Sequence, residues 1–455
     1  MLHRLIIVVI RIVTNTFFRR IDIIGTENIP ADGPVIFAGN HPNALMDGWL
    51  LTATCGRWPL HFVVNAKLWQ YRALVPLLNA SGAVPVFRRE EHDGEVDNRK
   101  AFTQLYDVME AGNCMGIFPE GVSHTESRMV KLKTGAARIA LTVTARGKSR
   151  VRIVPCGLNY MHRHRFRSQV LIEFGPPIVI DEKWVKRFQS DELTAINSLT
   201  DDLASALAGV TLNAPDWRTL RFIQTARRLY KPSSVVLSPA QYVELNRRFL
   251  DQYDLSLSNQ ELSELRHELE DYQAQLDLLG LKDYQLRQPV TLGHAFRKII
   301  GRAMWMLVLL PLAIPGALLH LPIGWIAATV GERFSYEMDD VATLKVFATI
   351  LLLPLLYLGI AIGVGMTFGV WWAIAVVIGL VLSFTASVRI IEAEAGILVS
   401  IMSVARLARL DAEVANLRAT RAMLVEKVRA LVDKHVDPDM PRMFTEKDFG
   451  RKTET

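Results

Sequence analysis

The chain has 455 residues, half of them hydrophobic, with a net charge of +6 and a pI near 9.2. That length allows more than one core. The mean hydropathy of +0.19 is high for a wholly soluble protein, and the excess lies in three apolar stretches between Met304 and Ser387 and a smaller one at the N-terminus. The positive balance suits an anionic partner, either lipid headgroups or a phosphorylated substrate. Nucleic acid is set aside, because basic residues alternate with acids and no recognition signature is present. Cys55, Cys114 and Cys156 are widely spaced, with no metal-ligand spacing, so reduced thiols on the cytosolic side and no metal are expected.

In chain order, Leu2 to Phe18 is apolar with Arg4, Arg11 and Asn15 on one narrow helical stripe. Arg11 interrupts the run and no small-residue cleavage site follows. A membrane-lying amphipathic helix over residues 1–19 is therefore expected rather than a signal peptide. A helix packed on the protein itself is the alternative.

Strands are predicted at Arg20–Gly25, Val35–Ala38, Met115–Phe118, Arg152–Pro155 and Val170–Phe174, each an apolar run bounded by turn residues. Helices are predicted between them, near 47–54, 99–110 and 135–145. The alternation implies an α/β sandwich with a mostly parallel sheet, spanning residues 20–180.

Residues 181–290 read as a polar helical extension. Leu262, Leu265, Leu269, Tyr272, Leu276 and Leu279 form a heptad seam. A second seam runs through Leu407, Leu410, Val414, Leu417, Leu424, Val428 and Leu431, with Arg421 in one seam position. Either each is an ordinary amphipathic helix, or the two pack together. The membrane region, 291–390, lies between them. Phe347–Gly365 and Val370–Ser387 are long enough to span, and their short connection predicts a hairpin with both outer ends on one side. Met304–Val330 is interrupted by Pro311, Pro315 and Pro322, which leaves a kinked span or a re-entrant segment open. His294, Arg297, Lys298 and Arg302 before it favour a cytoplasmic start. If the two seams pair, both lie on one side and 304–330 is not a full span. Residues 391–455 form a C-terminal amphipathic helix and tail.

Four stretches carry chemistry. In Ala38-Gly39-Asn40-His41-Pro42-Asn43-Ala44-Leu45-Met46-Asp47, a strand runs into a polar turn with Pro42 suited to the first helical position. A group of histidine's pKa, held by a carboxylate, can take a proton from an alcohol near neutral pH. A straight helix would hold His41 and Asp47 about 9 Å apart along its axis, so the pair requires a bent turn. Alone, such a pair is also read as a cap and a surface acid. Next, the strand before Arg88 delivers a guanidinium that could hold a phosphate, or simply a solvated strand end. Third, Phe118-Pro119-Glu120-Gly121-Val122-Ser123-His124 lets backbone approach a ligand at Gly121, with Lys131 and Lys133 following. A plain β-turn is the alternative. Fourth, Val154-Pro155 ends a strand. Met161-His162-Arg163-His164-Arg165-Phe166-Arg167 reads as a basic membrane-facing loop, a poor metal site because it has no acidic partner.

The order and spacing of these blocks over residues 20–180 resemble the glycerolipid acyltransferase family. The resemblance implies an α/β acyltransferase fold and transfer of a fatty acyl group from acyl-CoA or acyl-carrier protein, with no cofactor. It likens His41 to the general base and Asp47 to its orienting carboxylate. It likens Arg88, Glu120 and Gly121 to residues that bind the glycerol phosphate. Pro155 matches a more structural or acyl-facing block, and Lys67, Ser123 and Lys133 match further substrate-binding positions. Here five residues separate His41 from Asp47, where common members have four, and Val122-Ser123 stands where those have Thr-Arg. Both features resemble the fungal-type glycerol-3-phosphate/dihydroxyacetone-phosphate acyltransferase branch. So do Asn213-Ala214-Pro215-Asp216-Trp217, Ala226-Arg227-Arg228-Leu229-Tyr230 and the C-terminal membrane region. The resemblance implies acylation at the sn-1 hydroxyl of glycerol 3-phosphate by an integral membrane enzyme with a cytoplasmic active site. Dihydroxyacetone phosphate and lysophosphatidate stay open as acceptors, as does a non-catalytic lipid-binding protein on the same fold.

Overall fold

A computed structural model describes residues 2–70, 72, 75–87, 98–147, 149–232, 235–255, 260–286, 292–335, 337–409, 411–435, 442–444 and 448. The chain divides into two compact units. One comprises Met1–Trp217, Leu237–Glu244 and Ser335–Thr343. The other comprises Arg218–Val236, Leu245–Phe334 and Leu344–Thr455.

The first unit is built on a mixed, mostly parallel sheet. Its strands are β1 (Phe18–Ile24), β2 (Val35–Gly39), β3 (Leu60–Asn65), β4 (Val84–Val86), β5 (Cys114–Ile117), β6 (Arg152–Tyr160), β7 (Ser168–Phe174) and β8 (Ile178–Val179). They are ordered β1-β7-β6-β2-β5-β3-β4, with β8 beside β6. Among the described residues only the β6–β7 and β6–β8 pairs are antiparallel. β2 is buried along its whole length, as a central parallel strand covered on both faces must be. β3 lies outside the expected set of strands. Its Leu60-His61-Phe62-Val63-Val64 run is short, but pairing with β5 and β4 supplies its ladder.

Pro155 stands inside β6 rather than at an edge or turn. Its neighbours Arg152 and Ile153 pair with β8, and the pairing with β7 begins at Cys156. The proline thus falls where the partner strand changes, so its missing N–H costs little, and its carbonyl accepts from Gly175 N at 2.8 Å.

Helices α2 (Ala44–Thr54), α4 (Arg99–Glu110) and α5 (Gly135–Ala145) cover the sheet near the predicted positions. The compact unit continues past the last strand to Trp217. The apolar face of α7 (Glu192–Val210) is the reason: Ala195, Ile196, Leu199, Leu203 and Leu207 join the same core as α4 and α5. Helix α1 (Leu2–Phe17) buries Ile6, Ile10 and Phe17 while exposing Leu5, Val8, Val9 and Ile12, so it has one protein-facing and one outward apolar face.

In the second unit the two heptad helices pack antiparallel. α10 (Gln260–Leu278) buries Leu262, Leu265, Leu269, Tyr272 and Leu276, and α15 (Asp411–His435) buries Val414, Leu417, Leu424 and Val428. Lys427–Glu268 and Lys434–Glu261 ion pairs fix the direction. Leu410 of the second seam lies outside the described residues. Arg421, the odd member of that seam, pairs with the buried Asp283 at 2.8 Å, and Tyr272 donates to the same carboxylate at 3.0 Å.

Among the described residues three helices are long and apolar enough to cross a membrane: Leu307–Phe334 within α12 (Leu292–Phe334), α13 (Val341–Phe368), and Val370–Ile390 within α14 (Val370–Arg409). Gly369, at φ +94°, is the single residue between α13 and α14. The three prolines lie inside α12 without ending it, so of the two open readings the continuous helix fits a span and not a re-entrant turn. A proline's φ is itself helical. The Ser387 hydroxyl of α14 donates to Ala313 O at 2.9 Å, and Ser383 donates to Leu312 O, which ties α14 to this stretch of α12.

Candidate active site

The site lies where β2 ends and α2 begins. The turn is sharply bent: Asn43 has φ −148° and ψ 44°, and Ala44 has φ +40°. Few non-glycine residues adopt such a φ. The helix consequently starts at Ala44, leaving Pro42 outside it instead of at its first position. This bend brings His41 Nδ1 to 2.9 Å from Asp47 Oδ2, closing the gap that a straight helix would leave. Asp47, fully buried, also accepts from Asn43 N at 2.7 Å and from Tyr160 O–H at 2.5 Å. Burial raises the Asp47 pKa, and these donors oppose it. Burial, with Asp47 beside it, pushes the Tyr160 phenol well above its usual range, so it stays a donor. The imidazole stacks on Phe118, with ring centroids 4.1 Å apart and planes 5° from parallel.

Glu120, 2% exposed, is held entirely by protein donors. Oε1 accepts from His41 N at 2.9 Å, and Oε2 accepts from Val130 N at 3.0 Å and pairs with His124. Burial works to raise the Glu120 pKa, but His124 and the two backbone donors outweigh it and hold the carboxyl below its usual range. The bond to Glu120 in turn raises His124 above its usual range, against burial. This carboxylate therefore ties the glutamate loop to the histidine turn.

Gly121 has φ +79°, and a Cβ there would lie 2.7 Å from Lys133 Cδ, so glycine leaves room for the lysine to lie along the turn. Lys133 N also donates to Pro119 O at 2.7 Å. Ser123 is half-buried in the same loop, and Lys67 is exposed in the short helix Ala66–Gln70. Arg88 lies outside the described residues.

Several residues join the site from afar. Asn40 exchanges two hydrogen bonds with Leu158, at 2.7 and 3.2 Å, extending β2 against β6. Arg163 corrects the reading of its cluster as an outward basic loop. Half-buried, it donates from Nη1 to Pro42 O and to His124 O, both at 3.2 Å, so one guanidinium holds both the His41 turn and the glutamate loop. Asn43 Nδ2 returns a bond to Arg163 O at 3.0 Å. Burial lowers the Arg163 pKa, countered by Asp47 and by Asp339, a buried acid in the 335–343 segment of this unit. The motif at Asn213-Ala214 braces the loop after His124: Asn213 Oδ1 accepts from Met129 N at 2.9 Å, and Ala214 N donates to Ser127 O at 3.0 Å. Among the described residues no cluster of His, Cys, Asp and Glu is arranged to hold a metal.

Two family models match the chain. The acyltransferase model covers residues 20–159, and the model of the glycerol-3-phosphate acyltransferase 2 C-terminal domain covers residues 222–441. The chain is therefore similar to acyltransferases over residues 20–159 and to that C-terminal domain over residues 222–441. The curated relatives it resembles include glycerol-3-phosphate O-acyltransferase 2 of Saccharomyces cerevisiae, 36% identical over 279 residues, which are 58% of this chain and 38% of the relative. Glycerol-3-phosphate O-acyltransferase 1 of the same yeast is 30% identical over 57% of this chain and 35% of the relative. The chain thus spans less than two fifths of the length of either. A crystal structure of 1-acyl-sn-glycerophosphate acyltransferase from Thermotoga maritima is 17% identical, covering 46% of this chain and 79% of that one, with a TM-score of 0.33.

Proposed function

We propose that the protein transfers a fatty acyl group from acyl-CoA or acyl-carrier protein to the sn-1 hydroxyl of glycerol 3-phosphate at a membrane surface. The observation that carries this reading is the His41–Asp47 bond across a bent turn, in a chain similar to two yeast glycerol-3-phosphate acyltransferases. Asp47 accepts the Nδ1 proton, which leaves Nε2 as the basic nitrogen. His41 Nε2 takes the acceptor's hydroxyl proton as its oxygen attacks the thioester carbonyl. The thiol then leaves, taking up that proton. Asp47 stabilises the imidazolium formed between the two transfers. Glu120 and Gly121 shape the loop that receives the glycerol phosphate, with Lys133 and Arg88 as its cations and Lys67 and Ser123 as further contacts. The three buried thiols, with pKa values raised by burial, are poor nucleophiles, which favours direct transfer over an acyl-cysteine.

The test is an assay of purified protein with palmitoyl-CoA against glycerol 3-phosphate, dihydroxyacetone phosphate and lysophosphatidate. Turnover with glycerol 3-phosphate is expected. Turnover with lysophosphatidate alone would move the reading to the second acylation, and none with any acceptor would favour a lipid-binding role.

A further inference from the structure

Asp47 holds a single atom of the His41 ring, Nδ1, and one hydrogen bond leaves a ring free to rock about it. The plane of the imidazole is set by another neighbour. Phe118, the residue after β5, lies with its ring 4.1 Å from the imidazole and 5° from parallel. Phe62 of β3 lies nearly parallel to Phe118 in turn, at 6.0 Å and 16°.

Two strand glycines make room for these rings. A Cβ on Gly116 of β5 would overlap the Phe62 ring, and a Cβ on Gly39, the last residue of β2, would lie 3.2 Å from Phe118 Cε1. Glycine weakens a strand interior and marks a close approach where it is kept. Here the space of two strand side chains is given to the aromatic pair beside the imidazole. His41 and Phe118 are both half-buried, so the stack reaches the open side of the site. The charged groups around the ring are Asp47 at Nδ1, the Glu120–His124 pair at its main-chain N–H, and Asp340 of the same unit acting through space.

A neutral imidazole and an imidazolium gain differently from such a neighbour. The face of a phenyl ring is negative and attracts a cation lying within about 6 Å of its centroid. A contact that strengthens as the base takes its proton favours the transition state over the ground state, which is the condition for raising kcat.

We propose that Phe118 is a positioning residue acting through His41: it fixes the imidazole plane and stabilises the imidazolium formed in the reaction, with Phe62 as its support. The proton path is unaltered, from the acceptor hydroxyl to Nε2 and then to the leaving thiol. The effect on kcat rests on the acyl transfer proposed above, whereas the contact with the cation does not.

The test replaces Phe118 in the full chain with mono-, di- and trifluorinated phenylalanines, which keep the ring's shape while withdrawing charge from its face. With palmitoyl-CoA and glycerol 3-phosphate, kcat should fall with each fluorine, about tenfold over the series, and KM should change little. Phe118→Leu should lose as much as the last member of the series, and Phe118→Tyr should recover most of it. Isotope-labelled histidine, with the His41 signal assigned by its loss in His41→Gln, gives a readout that needs no turnover. Along the fluorinated series the His41 imidazolium should release its proton at progressively lower pH. A titration and a kcat that both ignore the fluorines would overturn the proposal and leave Phe118 as packing alone. A titration that shifts while kcat stays flat would overturn its part in the reaction. Absence of turnover in the unmodified protein would strike the acyl-transfer reading, and the titration would still decide the contact.

Discussion

The unit that holds the candidate site and the C-terminal helical unit both bury charged groups, but with different consequences. In the helical unit a leucine seam does most of the packing, and Arg421, Asp283 and Tyr272 form one closed polar group inside it. Such a group fixes register and adds little net stability. In the other unit, Asp47 and Glu120 are almost fully buried, yet their partners are the histidine, the loops and the strand ends that frame one turn. There the burial rigidifies the turn that carries His41. The same physical device holds two helices in line in one region and one imidazole in place in the other.

That contrast predicts different damage from substitution. His41→Ala should lower kcat by about 10³-fold with KM little changed, because a general base acts in the transition state. Asp47→Asn should approach that loss, since it presents the wrong imidazole tautomer. A loss confined to KM would put His41 in substrate binding instead. Leu269→Ala in α10, at a site 1% exposed, should cost about 3 kcal/mol of unfolding free energy and leave kcat per folded molecule unchanged. Chemical denaturation alongside an activity titration would check it. A fall in kcat of the folded fraction would mean the helical unit contributes to chemistry. Arg163→Ala should lower kcat about tenfold, near 1.4 kcal/mol, by loosening the turns at Pro42 and His124. Arg163→Lys should recover part of that, and a change in KM alone would make Arg163 a substrate contact.

The sequence carried some of this and not the rest, for identifiable reasons. The heptad seam was legible because its repeat is written in adjacent turns, and Arg421 stood out as its one charged member. The buried strands β2, β5 and β7 were legible as apolar runs between turn residues. The five-residue spacing after His41 demanded a bend, and the bend at Asn43 and Ala44 is there. Tyr160, Arg163 and Asn213 were not legible as site residues. Tyr160 lies 113 positions from Asp47, Arg163 121 from Pro42 and Asn213 84 from Met129, and only the antiparallel turn of β6 into β7 or the end of α7 brings them back. Glu120 was legible as important, but its three protein donors arise from tertiary closure. Local sequence could not distinguish a group facing substrate from one tying two loops together.

Glu120 also gives the smallest predicted effect and the most specific. Its carboxyl titrates below the usual 4.5 in the folded protein, so its contribution to stability is complete above pH 4.5 and fades as pH falls through the folded value. His124 titrates above the usual 6.5, so its contribution is complete below pH 6.5 and fades as pH rises through its own folded value. Both contributions are therefore complete between pH 4.5 and 6.5. Glu120→Gln keeps the shape but removes the charge, and should destabilise by about 1 kcal/mol in that window. The gap between variant and wild type should narrow on either side of it. Thermal unfolding of both proteins in detergent across this range would show the profile. A gap independent of pH would mean that Glu120 and His124 are held as a neutral pair, and that the loop is tied to the histidine turn by hydrogen bonds alone.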